Sequence, residues 1–245
     1  MKKLTLLVLS IALFIPKFAY SSDLDLAIYD LNRGEFNAAI AQFEPLVAEG
    51  YAPAQYQMGL IYLNGYGVIK NPIKAVELLH LAVSQNYSDA LFDLSLLYSE
   101  GEVVKKDLNT AYTLMEKAAK KGLPRAQFNL GVMIYNGSGI PQDDFQASRW
   151  YQKAADQNYA LAQFNLALMY FNGKGVAKST EMSYIWNIIA AKNGYRIAEK
   201  SRDMDEHKLT AEEIKTSREK ANTLLRNIIQ QGELKLRQAL IEQNR

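Results

Sequence analysis

The sequence predicts an all-α protein: a right-handed α-solenoid of antiparallel helix pairs with a 36-residue repeat and a C-terminal capping helix. Three observations carry that expectation. The segments APAQYQMGLIYLNGYGV from Ala52, SDALFDLSLLYSEGEVV from Ser88, PRAQFNLGVMIYNGSGI from Pro124 and ALAQFNLALMYFNGKGV from Ala160 start 36 residues apart with no insertion. Small, aromatic and glycine positions recur in phase through them, at helical rather than two-residue spacing. The two ends depart from the pattern, as the ends of a stacked array must.

The opening MKKLTLLVLSIALFIPKFAYSS has two lysines, an apolar run from Leu4 to Ile15, and small residues at Ala19 and Ser21. Residues 1–21 are therefore expected to be a signal peptide cleaved after Ser21. The run is 12 residues long, short of the roughly 20 that span a bilayer core, and no later segment approaches that length. The expectation is bacterial export to the periplasm or beyond, without a transmembrane segment after cleavage. Removing Lys2, Lys3 and Lys17 leaves 28 − 3 = 25 basic against 26 acidic residues, a net charge of −1. That balance gives no drive toward nucleic acid. The chain has no cysteine, which excludes a disulfide framework, a thiol nucleophile and a cysteine-ligated metal.

Residues 22–51 read as an N-terminal capping helix pair. Ala39 and Gly50 each stand 36 residues before Ala75 and Asn86, and a short turn falls at Asn32 to Gly34. Four full units follow at 52–87, 88–123, 124–159 and 160–195. In the first helix of each, Ala54, Ala90, Ala126 and Ala162 form one small column and Gly59, Ser95, Gly131 and Ala167 another. An aromatic column runs Tyr56, Phe92, Phe128 and Phe164, and an aliphatic one Met58, Leu94, Leu130 and Leu166. These are core positions, with the small ones letting a neighbouring helix approach closely.

Gly65, Gly101, Gly137 and Gly173 are expected to end the first helices in the left-handed cap conformation. A second loop glycine, Gly67, Gly139 or Gly175, is replaced by Val103 in unit two. The second helix begins near Pro72, Asp107 and Asp143, with small columns at Ala75, Ala111, Ala147 and Ser183 and at Ala82, Ala118, Ala154 and Ala190. Asn86, Gly122, Asn158 and Gly194 close the units, and each pair can bury its faces only by stacking on its neighbours.

The pattern AQFNLGVMIYNGSGI...DDFQASRWYQKAADQN, from Ala126 to Asn158, resembles a Sel1-like repeat, a relative of the tetratricopeptide repeat with a longer, glycine-containing loop. Ser95 stands where that family favours glycine, Ile134 where it favours tyrosine, and Leu78 and Leu114 where units three and four carry Trp150 and Trp186. The resemblance implies a binding scaffold, either an adaptor in envelope complexes or a contact between pathogen and host. A cysteine-rich branch of the family is associated with binding or hydrolysis of β-lactams. That is the alternative reading, although this chain lacks the cysteines that clip those units together.

Residues 196–245 form the C-terminal helical cap and tail. Thr210 and Glu213 make a capping box, and Ile214, Ala221, Leu225 and Ile228 continue one helical stripe toward Gly232. Beyond it, Leu234, Leu236, Leu240 and Ile241 offer a surface for a partner or a second copy of the chain.

No catalytic constellation emerges. The loop FNGKGVAKST resembles a phosphate loop, but no glycine precedes Lys178-Ser179 and the flanking segment is helical. His80 and His207 are not at metal-ligand spacing. Asp143-Asp144 and Glu212-Glu213 stand at helix starts, where negative charge is favoured. The expectation is a non-enzymatic protein with no catalytic, cofactor or metal site.

At 100° per residue, positions 57, 60, 61 and 64 of each unit lie opposite the core columns. They are expected to line a concave, partner-binding face. It would present Gln57, Ile61 and Asn64; Asp93, Leu97 and Glu100; Asn129, Met133 and Asn136; and Asn165, Met169 and Asn172. Amides suit a polypeptide backbone and methionine adapts to varied side chains. Four such helices would give a groove of roughly 500 to 600 Å², the size for a peptide or one helix rather than a globular partner.

Overall fold

The structure of the chain, a computed structural model, describes residues 17–243. The apolar run at 4–15, the core of the expected signal peptide, lies outside these residues. The described residues form twelve helices and no strand, and the chain divides into two compact units after Tyr87. Both are built from antiparallel helix pairs, the architecture of an all-α solenoid.

The first unit holds α1 (Lys17–Asn32), α2 (Phe36–Ala48), α3 (Ala52–Asn64) and α4 (Pro72–Ser84). The opening pair α1 and α2 turns at Gly34 with φ +80. Its first helix starts at Lys17, upstream of the expected boundary at residue 22. Ala27, Ala39, Phe43, Leu46, Ala54, Met58, Ile61 and Leu78 make one buried cluster. The opening pair thus covers the apolar flank of α3 that a missing repeat would otherwise leave in water. Asn71 caps α4 by accepting from the Lys74 amide at 3.1 Å.

The second unit runs through α5 (Ser88–Glu100), α6 (Leu108–Lys120), α7 (Pro124–Asn136), α8 (Asp144–Ala155), α9 (Ala160–Asn172), α10 (Thr180–Lys192), α11 (Ile197–Glu206) and α12 (Ala211–Gln243). Asp107, Asp143 and Ser179 cap α6, α8 and α10 with their side chains. The Asp107 carboxyl is held below its ordinary value first by its bond from the Thr110 hydroxyl, and Asp143 first by the Gln146 amide. The alanine columns are fully buried at Ala111, Ala118, Ala147, Ala154 and Ala190. Ser183, the one departure among them, donates its hydroxyl to the buried Asp205 of α11 at 2.7 Å.

The second loop glycine has a steric reason within this unit. A Cβ on Gly175 would lie 2.0 Å from the Asp144 carbonyl oxygen, and one on Gly139 would lie 2.4 Å from that of Leu108. Each loop therefore rests its backbone on the start of the preceding unit's second helix. A close approach of that kind admits only glycine.

A buried glutamine column went unread in the sequence. Gln163, fully buried, donates to the Ala155 carbonyl at 3.2 Å and accepts from Asn193 at 2.8 Å. Gln127 repeats the arrangement with Ala119 at 3.3 Å and Gln157 at 2.7 Å. In the first unit Gln55 accepts from Gln85 at 2.8 Å. Gln127 and Gln163 thus add a second donor to a carbonyl at the end of one second helix, which already accepts the Gly122 or Asn158 amide, and tie it to a side chain at the end of the next. At the equivalent position of unit two stands Leu91, also fully buried.

After Tyr195 the fold adds α11, which the sequence reading did not anticipate. Beyond it, α12 runs through Gly232 without a break. The capping box at its start is formed, with Glu213 accepting from the Thr210 amide at 2.8 Å.

Candidate interaction face on the first helices

The first helices carry an open stripe, and it differs by one position from the expected one. Ile61, Leu97, Met133 and Met169 are buried, at 0%, 9%, 9% and 3% exposure. The anticipated apolar ridge at these positions is therefore not open. Consecutive residues lie about 100° apart on a helix, and position 61 falls on the flank that meets the preceding pair. In the first unit Ile61 packs with Ala39, Phe43 and Leu46. Burying a side chain of this size stabilises by about 1.5–3 kcal/mol, so the core claims it.

The apolar members of the open stripe are instead the residues one earlier. In the first unit Gln57 and Leu60 are half-buried beside exposed Asn64. In the second unit the stripe holds Asp93, Leu96 and Glu100 on α5, Asn129, Val132 and Asn136 on α7, and Asn165, Leu168 and Asn172 on α9. Glu100, Asn136, Leu168 and Asn172 are exposed and the others half-buried. Asn64, Asn129 and Asn165 each donate Nδ2 to the carbonyl four residues earlier, at 2.8 Å. Those amides are held in one orientation along their helices. Across the stripe, Arg125 pairs with Asp89 at 2.5 Å and lies 4.4 Å from the centre of the Phe92 ring.

Between α7, α8 and α9 the stripe opens into a cavity of about 130 Å³, lined by Tyr135, Tyr151, Asn165, Leu168, Met169, Asn172 and Lys174. The Lys174 ammonium donates to the Tyr135 hydroxyl at 3.1 Å, and this bond is the main cause raising its pKa. Burial pushes the Tyr151 phenol well above its ordinary value of 10.0. Lys174 belongs to the loop whose glycines and lysines suggested a phosphate site. The fold turns that lysine toward Tyr135, in the face of the array. Its only sequence signal was that it occurs in a single unit.

A second cleft, of about 610 Å³, lies where α10, α11 and α12 meet. Within it Arg218 bonds both oxygens of Glu206 at 2.9 and 3.0 Å, and the Tyr184 hydroxyl donates to Glu206 at 2.6 Å. The Tyr184 bond first, and Arg218 with it, holds the Glu206 carboxyl below its ordinary value. Burial first, and then the bond to Glu206, raises the Tyr184 phenol.

His80 and His207 are both exposed, on α4 and just after α11. Among the described residues no group of three or more His, Cys, Asp or Glu is placed to hold a metal ion. Among the same residues no helix is long and apolar enough to cross a membrane. On the C-terminal half of α12, Leu234, Leu236, Leu240 and Ile241 are 50–63% exposed.

Comparison with known proteins matches the Sel1 repeat family at residues 52–87, 88–123, 124–159 and 160–195. No curated protein matches the chain. Among solved structures, a Sel1 repeat protein from Oxalobacter formigenes is 28% identical over 73% of each chain, with a TM-score of 0.69. The protein c5321, described as a protective antigen of uropathogenic Escherichia coli with an SLR fold, is 25% identical with a TM-score of 0.55. That match covers 91% of this chain but only 57% of c5321. A Sel1 repeat protein from Klebsiella pneumoniae, 17% identical over 80% of this chain and 98% of its own, shares the fold at a TM-score of 0.51.

Proposed function

This chain belongs to the Sel1 repeat family, and from that premise we propose that it is an exported, non-enzymatic scaffold that binds a peptide or single helix of an envelope or host protein. Repeat arrays of this kind are protein-interaction scaffolds, since stacking leaves one side of every first helix out of the core. The observation that carries the finer reading is the open stripe of the second unit. There Leu96, Val132 and Leu168 are bordered by Asn129, Asn136, Asn165 and Asn172, with a cavity beside Leu168. Gln57 and Asn64 offer the same chemistry in the first unit. The lysine-led apolar opening of the sequence supports export.

The test is crosslinked affinity capture from an envelope fraction, comparing the native chain with an Asn136→Arg, Leu168→Arg variant. Both positions are exposed, so the fold is retained. Met133→Arg would be unsuitable, because it buries a charge in the core. Capture by the native chain and loss in the variant supports the reading, and equal capture by both refutes it. The exposed leucines of α12 support a secondary role in self-association. Light scattering on Leu236→Glu, Leu240→Glu against the native chain reads that role as a loss of mass.

A further inference from the structure

The cavity beside Leu168 differs from the rest of the stripe in carrying a cation. Lys174 stands at its edge, exposed, with one of its three donors on the Tyr135 hydroxyl. Among the described residues it forms no salt bridge, and the acid acting on it is Asp144, the weakest of its influences and itself accepting from Gln142 at 3.0 Å. Asn165 and Asn172 supply amides to the same cavity, and Leu168 and Met169 supply its apolar lining. A second ammonium, Lys208, lies 4.0 Å from the centre of the Phe171 ring at the same end of α9. The other end of the stripe is acidic, with Asp93 and Glu100 on α5.

We infer that this cavity receives a carboxylate of the partner polypeptide, paired with Lys174, while the carbon stem that bears it lies against Leu168 and Met169. The inference rests on the reading of the stripe as a polypeptide-binding face. Size supports it: about 130 Å³ is the space of roughly four waters at ~30 Å³ each. That accommodates an aspartate or glutamate side chain, or a chain end. Charge supports it as well. An ammonium flanked by amide donors and a neutral phenol presents hydrogen-bond donors to an anion. The opposite units place Leu63 and Tyr66, Ser99 and Glu102, and Phe171 and Lys174 at the two positions equivalent to Tyr135 and Ser138. The tyrosine and lysine that meet here come from successive units, so the site exists once in the array.

The probe is a library of random 12-residue peptides, displayed in one format with a free amino end and in another with a free carboxyl end. The native chain, Lys174→Met and Lys174→Glu serve as baits, with circular dichroism checking that all three are equally helical. The native chain is expected to enrich peptides with a carboxylate next to an apolar residue. The format that enriches them tells a side chain from a chain end. Lys174→Met should weaken the best of these peptides about two- to fivefold, the effect of losing one solvent-screened ion pair, and Lys174→Glu should select Lys or Arg at that position. Enrichment with no acidic preference, or the same peptides from all three baits, overturns the carboxylate site while leaving the stripe as a binding face. Enrichment of nothing by the native chain in either format overturns the binding face and this inference together.

Discussion

Replacing Gly175 with alanine separates two costs that the loop glycines combine. Gly175 has φ +66, a conformation that costs an L-residue about 1–2 kcal/mol. Its Cβ would also sit 2.0 Å from the Asp144 carbonyl oxygen, 2.4 Å from that carbonyl carbon and 2.9 Å from the Phe145 amide nitrogen. These are backbone atoms at the capped start of α8, so no rotamer change relieves the clash, and more than an ångström of loop movement is needed. That movement also breaks the bond from the Ser148 hydroxyl to the Gly175 carbonyl, at 3.3 Å. The expected total is about 3 kcal/mol or more, in the range reserved for disrupted packing. Gly194→Ala is the matched control, with φ +86 and nothing within 4 Å of its Cβ, so it should cost only the conformational ~1 kcal/mol. Urea unfolding followed by circular dichroism compares the two, and the difference of about 2 kcal/mol is the steric share. Equal losses would show that the loop does not rest on α8, and the account of the second glycine would fail.

Gln163→Leu, which copies the Leu91 of unit two, should cost about 0.5–1.5 kcal/mol in the same assay, because it removes the buried amide that bonds both the Ala155 carbonyl and Asn193, while that carbonyl keeps its bond from the Asn158 amide at 3.0 Å. A loss below 0.5 kcal/mol would remove the glutamine column from the fold's support. The adjacent acids Asp205 and Glu206 should give opposite pH slopes. Burial raises Asp205 above its ordinary 3.8, so its folded form takes up a proton more readily than the unfolded one and stability gains as pH falls from neutrality through the raised value. Glu206 is held below its ordinary 4.5, so its contribution is whole above 4.5 and is lost as pH falls through the folded value. Thermal melts between pH 7 and 3 on Asp205→Asn and Glu206→Gln should each lose one of these slopes. Ending the chain after Gln231 should leave the melting temperature within 1–2 °C of the native value, since residues 232–242 are exposed throughout.

The repeat was legible because each of its signals is local. A glycine or asparagine at a left-handed cap, an aspartate or proline at a helix start, and an alanine where helices cross are each required by a few neighbouring atoms, and they recur every 36 residues. Asn86 and Asn158 adopt positive φ where Gly122 and Gly194 do so in the other units, as their residue types suggested. The open stripe on the first helices was legible only to within one residue. A helical wheel separates core from surface by about a third of a turn, but it does not say which flank meets the preceding helix pair. That flank took Ile61, Met133 and Met169 into the core, Leu97 is buried too, and Leu60, Leu96, Val132 and Leu168 stayed outside it. The glutamine column was hidden because a polar residue on a helix reads as solvated until its partners, 5, 8 and 30 residues away for Gln163, are in place.

By itself the sequence determined the helix pairs, their period, their caps and their closure by atypical ends, because those follow from short-range sterics and hydrogen bonding repeated in register. Tertiary structure alone decided what the surface offers. It brought Lys174 from the loop between the helices of one unit onto Tyr135 of the unit before, seated Gly175 on the start of α8, and buried Asp205 against Ser183 and Asn187. Each of these is a contact between residues 18 or more positions apart, fixed by how successive helix pairs stack, and stacking is settled by the whole set of buried side chains rather than by any one segment.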